Sequence, residues 1–394
     1  MAVLTMLRTA PAPTPTPTGS ILCVVGARPN YMKMAPLLRA LAATPGAPPT
    51  VLVHTGQHYD PSMKDRLFDD LGMRMPDENL DVRSGSHAVQ TAEVMKRFEP
   101  LIERYRPCCV VVVGDVNSTL ACSLVAVKCG VPVVHVEAGL RSYDRAMPEE
   151  INRVLTDQIS DLLYTTDREA HANLAREGLA GDQVVFVGNL MIDSLHDALP
   201  RAIEPEVTLQ GSGADLDAVL GSGYALVTLH RPSNVDEPEV LAELVELLRS
   251  ASERMGLIWP MHPRARAQLE RFGLMHRLVR SRIVCLPPQG YLEMVGLMRG
   301  ARVAITDSGG VQEETTALGI PCITLRENTE RPVTVTHGTN RLMQRDAVAL
   351  HAALDDILAG QWPKAQTQPE GWDGRSAQRL AAHLTDWLAR RARP

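Results

Sequence analysis

The sequence predicts an α/β protein built as two successive units, each a parallel sheet covered by helices. Three observations lead there. Short, near-continuous apolar runs alternate with helical stretches, the pattern of strands buried on both faces. The alternation stops in the polar, glycine-rich segment "EPEVTLQGSGADLDAVLGSG" (Glu204–Gly223) and restarts at Tyr224. A chain of 394 residues is also longer than one ordinary core fills.

The elements follow in order. "ILCVVG" (Ile21–Gly26) reads as a strand and "YMKMAPLLRALAA" (Tyr31–Ala43) as a helix. "TVLVHTG" is the next strand, followed by helices near Pro61–Leu71 and across His87–Arg104. "CCVVVVG", "VPVVHVE", "LLYTT" and "VVFVGN" continue the strands to Asn189. The second unit supplies "YALVTLH", "GLIWPMH", "RIVCLPP", "RVAITD" and "PCITLRE". The expected division is a Pro/Thr-rich tail over 1–19, a first unit over 20–189 and a second over 190–374. A final helix, about 375–392, is expected to pack back on the first unit.

Composition excludes several function classes. The formal charge is −6 and no long basic run occurs, which argues against nucleic acid. No stretch reaches the roughly 18 apolar residues of a membrane span. The start lacks the apolar centre of a secretory signal. Seven cysteines sit on or beside apolar runs, without metal-knuckle or redox-pair spacing, so buried free thiols and a cytoplasmic location are expected.

Ligands of open parallel sheets bind beyond the carboxyl ends of the strands. There the chain places Arg28, Asp115, Glu137, His230 with Arg231, and Asp307-Ser308-Gly309-Gly310. Arg28 and Lys33 lie near a helix N-terminus, where cations are disfavoured, which suggests a nearby anion. The first turn is not G-x-G-x-x-G, so no dinucleotide fingerprint is present. Asp115 reads equally as a helix cap. Glu137 ends an apolar strand, and burial raises its pKa unless it is paired. Glu149 and Glu150 stand in a first helical turn, where glutamate is favoured anyway. "ITDSGGVQEETTALG" (Ile305–Gly319) has two readings. Ser308 or Asp307 caps the helix, or the glycines bring backbone N–H groups to an anion.

Together the motifs "GARPNYMKMAPLLRAL", "HTGQHYD", "VVVGDVNSTLACSL", "HVEAGLRSYDRAMPEEINRVLTDQISDLL", "HRPSN", "TDSGGVQEETTALGIPCITLRENTERP" and "GTNRL" are specific. Across residues 21–345 the chain resembles the non-hydrolysing UDP-N-acetylglucosamine 2-epimerases. The resemblance implies a glycosyltransferase-B-type fold of two Rossmann-like domains with UDP in the interdomain cleft. It implies a homodimer and a reaction without NAD or metal. UDP-GlcNAc and UDP-ManNAc interconvert by elimination of UDP to 2-acetamidoglucal and re-addition.

By motif position, the resemblance assigns Asp115, Glu137 and Glu149 as acid/base candidates and His230 as the family's essential catalytic histidine, acting near the diphosphate. Arg28 and Lys33 match the family's basic pair. Ser308, Gly309 and Gly310 match its diphosphate cradle, and Glu314 its ribose ligand. Tyr291 falls beside the uracil, and Arg331 faces the hexose. Two departures stand out. His230-Arg231-Pro232-Ser233-Asn234 replaces a common His-Arg-Arg-Glu-Asn. Gln57-His58-Tyr59-Asp60 replaces the Gln-His-Arg-Glu of many substrate-activated members. Epimerases of UDP-2,3-diacetamido-glucuronate share related motifs and are the alternative, with a UDP-sugar glycosyltransferase behind them.

Overall fold

The computed structural model describes residues 19–56, 61–83, 85–221, 223–279, 281–362 and 368–392. The tail over 1–18 and the Gln57–Asp60 motif lie outside the described residues.

Seven parallel strands form the first sheet: β1 (Ile21–Val25), β2 (Thr50–His54), β3 (Glu78–Asn79), β4 (Cys109–Val113), β5 (Val133–Ala138), β6 (Leu162–Thr165) and β7 (Val184–Phe186). Their spatial order is β3-β2-β1-β4-β5-β6-β7. The second sheet holds β8 (Tyr224–Thr228), β9 (Gly256–Pro260), β10 (Ile283–Leu286), β11 (Val303–Thr306), β12 (Cys322–Leu325) and β13 (Asn340–Met343). Its order is β10-β9-β8-β11-β12-β13, also parallel. The fold is the expected pair of Rossmann-like units. Two strands were not read from the sequence: Glu78–Asn79 is too short for periodicity, and "NRLM" is too polar.

Period-two alternation explains why the strands are apolar throughout. On β4, Val111 and Val113 feed one core and Val110 and Val112 the other. All seven cysteines are free; Cys129, expected buried with the rest, is exposed just past a helix end.

The final helix, Ser376–Arg391, sets Ala377, Leu380, Leu384 and Leu388 into the core that contains Ile21 and Leu37. Its own N-cap position, Arg375, offers no side-chain cap. Asp193 of the helix Leu190–Ala198 substitutes, accepting from Ser376 N at 3.1 Å and Ala377 N at 2.7 Å. That same helix joins the first unit's core through Leu190, Met191 and Leu195. Among the described residues no helix is long and apolar enough to cross a membrane.

In each sheet the strand order reverses at one place, between β1 and β4 and between β8 and β11. Crevices open at such reversals, and the candidate side chains follow those strands.

Candidate active site

On the first unit, the helix Arg28–Ala43 begins just after β1. Asn30 ties this turn to β4. Its side-chain oxygen accepts from Gly26 N and Ala27 N, and its amide donates to Val113 O at 2.9 Å. Lys33, one turn further on, is buried and ion-paired to Glu137.

Glu137 sits in β5 with φ of +69°, left-handed backbone for a non-glycine residue, and the β5–β6 register shifts across it. That conformation costs roughly 1–2 kcal/mol. Strain of this kind persists where the surroundings hold it. Here Lys33 takes one carboxylate oxygen, and Arg331 Nη2, from the second unit, donates to the other at 3.0 Å. Gly114 crowds against the pair: at φ +69°, an added Cβ would lie 3.3 Å from Glu137 Oε2.

Asp115 does not cap the helix Asn117–Lys128, whose N-cap residue Val116 lacks a side-chain bond. It pairs instead with Arg153 and stays 28% exposed. Burial alone would raise its pKa, but Arg153, Lys33 and Arg331 together hold it below the usual carboxylate range. Arg153 is buried and donates through Nη1 to Glu150 at 2.7 Å. Glu150 in turn accepts from the Ser142 and Tyr143 amides, each at 2.9 Å. The two adjacent glutamates thus part company. Glu150 is buried and fully bonded, whereas Glu149 is exposed and within electrostatic reach of Arg231.

On the second unit, His230 follows β8 and is 38% exposed. Its Nδ1 lies 2.9 Å from Asp307 Oδ1. Asp307 also accepts from the His230 and Arg231 backbone amides and from Asn234 Nδ2. Burial pushes the Asp307 carboxyl up, but these donors outweigh it and hold the group ionised. With Nδ1 held on Asp307, the His230 ring is oriented and its Nε2 remains for other work. The His262 ring lies 5.3 Å away, and burial beside His230 lowers its pKa to about 4.

Neither Asp307 nor Ser308 caps the helix Gly309–Leu318 through its side chain. Its first amides therefore lack a side-chain cap, a geometry suited to an anion. A Cβ on Gly309 would lie 2.5 Å from Arg331 Nη1, so glycine there also admits the arginine. Arg331 is the hub: it pairs with Glu137, with Glu313 at 2.9 Å and with Glu330 at 2.5 Å. Arg326 donates to Glu330 at 2.8 Å, and Arg231 lies 3.4 Å from it. Burial would raise the Glu330 pKa, yet the three arginines press it well below the ordinary range.

Glu314 is buried, and burial lifts its pKa to about 7. Its Oε1 accepts from the Tyr291 hydroxyl at 2.9 Å. Tyr291 is itself buried and opens the helix Tyr291–Gly300. Asp70 of the first unit accepts from Tyr291 N at 2.8 Å, capping that helix across the interface. A small cavity beside it is lined by Arg28, Arg66, Leu67, Gln289, Gly290 and Tyr291.

The twelve residues singled out by resemblance thus line the two facing sheet edges. Sequence reasoning passed over Arg153, Glu313, Arg326 and Glu330 as site members, and read Asp307 at the sheet edge only as a possible helix cap. Each stood inside a quoted motif, but nothing local says that the charges of a motif turn inward and pair.

A family model described as UDP-N-acetylglucosamine 2-epimerase matches residues 40–385. The chain belongs to the UDP-N-acetylglucosamine 2-epimerase family. A Methanococcus maripaludis UDP-N-acetylglucosamine 2-epimerase is 40% identical over 338 residues, covering 85% of this chain and 90% of that one. A UDP-2,3-diacetamido-2,3-dideoxy-D-glucuronate 2-epimerase of Pseudomonas aeruginosa is 39% identical over 326 residues, 82% and 88% of the two chains. The crystal structure of the Methanocaldococcus jannaschii UDP-GlcNAc 2-epimerase in complex with UDP-GlcNAc and UDP superposes with a TM-score of 0.83. That match is 39% identical and covers 93% of this chain and 99% of the other. Family membership explains why the motifs occur together. They are the strand-end segments of an epimerase, kept in register by two parallel sheets.

Proposed function

We propose that the chain interconverts UDP-GlcNAc and UDP-ManNAc by inverting the configuration at C-2, without NAD or metal. Glu137 carries this reading: a strained carboxylate gripped by cations from both units, with Asp115 nearby. The C-2 hydrogen of the sugar is not acidic, since no carbonyl adjoins it. A carboxylate takes that proton as the C-1–O bond breaks. UDP departs with the bonding electrons, and 2-acetamidoglucal keeps the new double bond. Return of UDP to C-1 with protonation from the opposite face gives the epimer.

Asp115, Glu137 and Glu149 share the acid and base work, which contributes roughly 10²–10⁴-fold. The first amides after Ser308, at Gly309 and Gly310, stabilise the departing diphosphate with His230 and Arg28. Glu314, held by Tyr291, meets the ribose, and the cavity at Gln289–Tyr291 meets the base. Lys33 and Arg331 hold the Glu137 carboxylate in place until the sugar enters. The working unit is a cytoplasmic homodimer with domains over 20–189 plus 375–392 and over 190–374.

Proton NMR of UDP-GlcNAc with enzyme in heavy water tests the reaction. Deuterium at C-2 accompanied by a growing manno isomer is expected, with no acceptor present. A requirement for an acceptor would turn the reading toward a glycosyltransferase. Tenfold faster turnover of UDP-2,3-diacetamido-glucuronate would replace the hexose.

A further inference from the structure

The helix Pro148–Ile159 buries Glu150, Asn152, Arg153, Thr156 and Asp157, all of them polar. A surface helix ordinarily buries an apolar stripe, and buried polar groups are costly unless hydrogen-bonded. Here the bonds run toward the two acid–base carboxylates. Arg153 pairs with the Asp115 side chain, and Asn152 Nδ2 donates to Asp115 O at 2.9 Å.

Asp157, one turn beyond Arg153, serves the other carboxylate. Its Oδ1 lies 2.6 Å from His135 Nδ1. Its Oδ2 accepts from Gly139 N at 3.1 Å and from Arg141 Nη2 at 2.7 Å. His135 and Gly139 stand two positions to either side of Glu137. The second ring nitrogen, His135 Nε2, lies 2.8 Å from Gly114 O, the carbonyl just before Asp115. Both side chains are wholly buried. One pair beneath the site thus reaches the end of β4 through Gly114 and the end of β5 through Gly139.

The backbone between those two grips is the irregular one. Glu137 has φ of +69°, and the β5–β6 register shifts between Val136 and Ala138, so the strand ladder alone does not fix it. Asn173 Nδ2 holds Gly139 from its other side, donating to the carbonyl at 2.9 Å. At Gly139 an added Cβ would lie 2.5 Å from Ala170 O, so the turn is tightly confined. The ring chemistry is equally specific. A carboxylate and a carbonyl only accept, so His135 bonds to both at once with a proton on each nitrogen. The charges then balance: His135 and Arg141 stand against Asp157 and Glu177, which accepts from Arg141 at 2.7 and 2.6 Å. Removing one member of such a buried pair leaves the other uncompensated.

We propose that His135 and Asp157 are positioning residues for the epimerisation, fixing the Asp115 and Glu137 segments relative to each other without touching the substrate. The proposal rests on the epimerase reading of the site. Taking a proton from one face of the sugar and returning it on the other needs both carboxylates at set places. Lys33 and Arg331 hold the Glu137 side chain in the cleft; the buried pair holds its backbone from below.

The test compares wild type with Asp157→Ala and Asp157→Asn by UDP-GlcNAc turnover, UDP titration and nitrogen-15 NMR of the histidine rings. Asp157→Ala should lower kcat by about 10²-fold, the effect of a misplacement near 1 Å, while the Kd for UDP stays within about twofold. Asparagine keeps an acceptor for Gly139 N and a donor for the ring, so Asp157→Asn should recover at least about tenfold of that loss. The wild-type His135 signal, assigned by its disappearance in His135→Gln, should show protons on both ring nitrogens; in Asp157→Asn it should show one. Unchanged kcat in Asp157→Ala overturns the proposal. So does a fall in kcat matched by an equal loss of UDP affinity, and so does an asparagine variant no more active than the alanine one. Should Asp157→Ala fail to fold, His135→Gln is read by the same kcat and Kd criteria. Wild type inert toward UDP-GlcNAc would refute the epimerase reading; an active wild type whose His135 ring carries one proton would refute the pair alone.

Discussion

The two sheet edges are alike in architecture and different in electrostatics. At the first, Lys33 and Arg153 pair with Glu137 and Asp115, and the strain at Glu137 is borne by those ion pairs. At the second the charges are mixed: donors and arginines hold Asp307 and Glu330 low, burial raises Glu313 and Glu314, the latter to about 7, and a helix N-terminus stands without a side-chain cap. The first edge sets its carboxylates on cations, and the second adds buried carboxylates with raised pKa and uncapped helix amides. A reaction that strips a proton and expels a diphosphate needs both, and two Rossmann-like units face to face supply them from one architecture.

The comparison is broken most severely at the first edge. Glu137→Gln and Asp115→Asn should each lower kcat by about 10²–10⁴-fold while the Kd for UDP changes less than threefold. Calorimetric titration showing instead that UDP binding collapses in both would move these carboxylates out of the acid–base role.

Next in size is Gly309→Ala, which sets a methyl group 2.5 Å from Arg331 Nη1. UDP affinity should drop by about tenfold or more, an effect near 1.4 kcal/mol. Unaltered affinity would show that neither the helix amides nor Arg331 sits where the diphosphate binds.

A gentler probe sharpens the contrast in charge. Burial raises the Glu314 pKa to about 7, so the group is protonated below that pH and ionised above it. An ionised carboxylate accepts two ribose hydroxyls, so UDP affinity should rise from pH 6 to pH 8. Glu314→Gln should flatten that dependence. His262 does not confound the measurement, since its pKa near 4 leaves it neutral throughout. A slope that survives in the variant would assign the titration elsewhere.

The smallest effect belongs to neither edge. Asp193→Ala removes the cap supplied to the helix Ser376–Arg391. Capping losses cost about 1 kcal/mol, so the melting temperature should fall by a few degrees with kcat unchanged. A large loss of activity would mean that this helix is coupled to the site.

Much of the molecule was legible from the chain. Apolar runs marked eleven of the strands because strands buried on both faces have no polar side to disguise them. Residues at strand ends were found because polarity returns where the sheet stops. What escaped has physical reasons. Asp307 resembles a helix cap and instead serves the backbone of His230 and Arg231, in a turn after β8 that sequence does not place beside it. Glu149 and Glu150 are chemically identical neighbours, and only the helix phase separates the exposed one from the buried one. The bond from the Tyr291 hydroxyl to Glu314 was equally out of reach, since the two residues lie on different helices.

By itself the sequence determined the alternation of strand and helix, the polar turns at the strand ends and the motif set of the family. These follow from local chemistry: side-chain apolarity, glycine's backbone freedom and charge at helix ends. Only the tertiary structure decided which charges meet. Arg331 lies 194 positions from Glu137 and 18 from Glu313, yet both pairs close within 3.0 Å. Ion pairing depends on distance in space, and the packing of two separate sheets sets that distance.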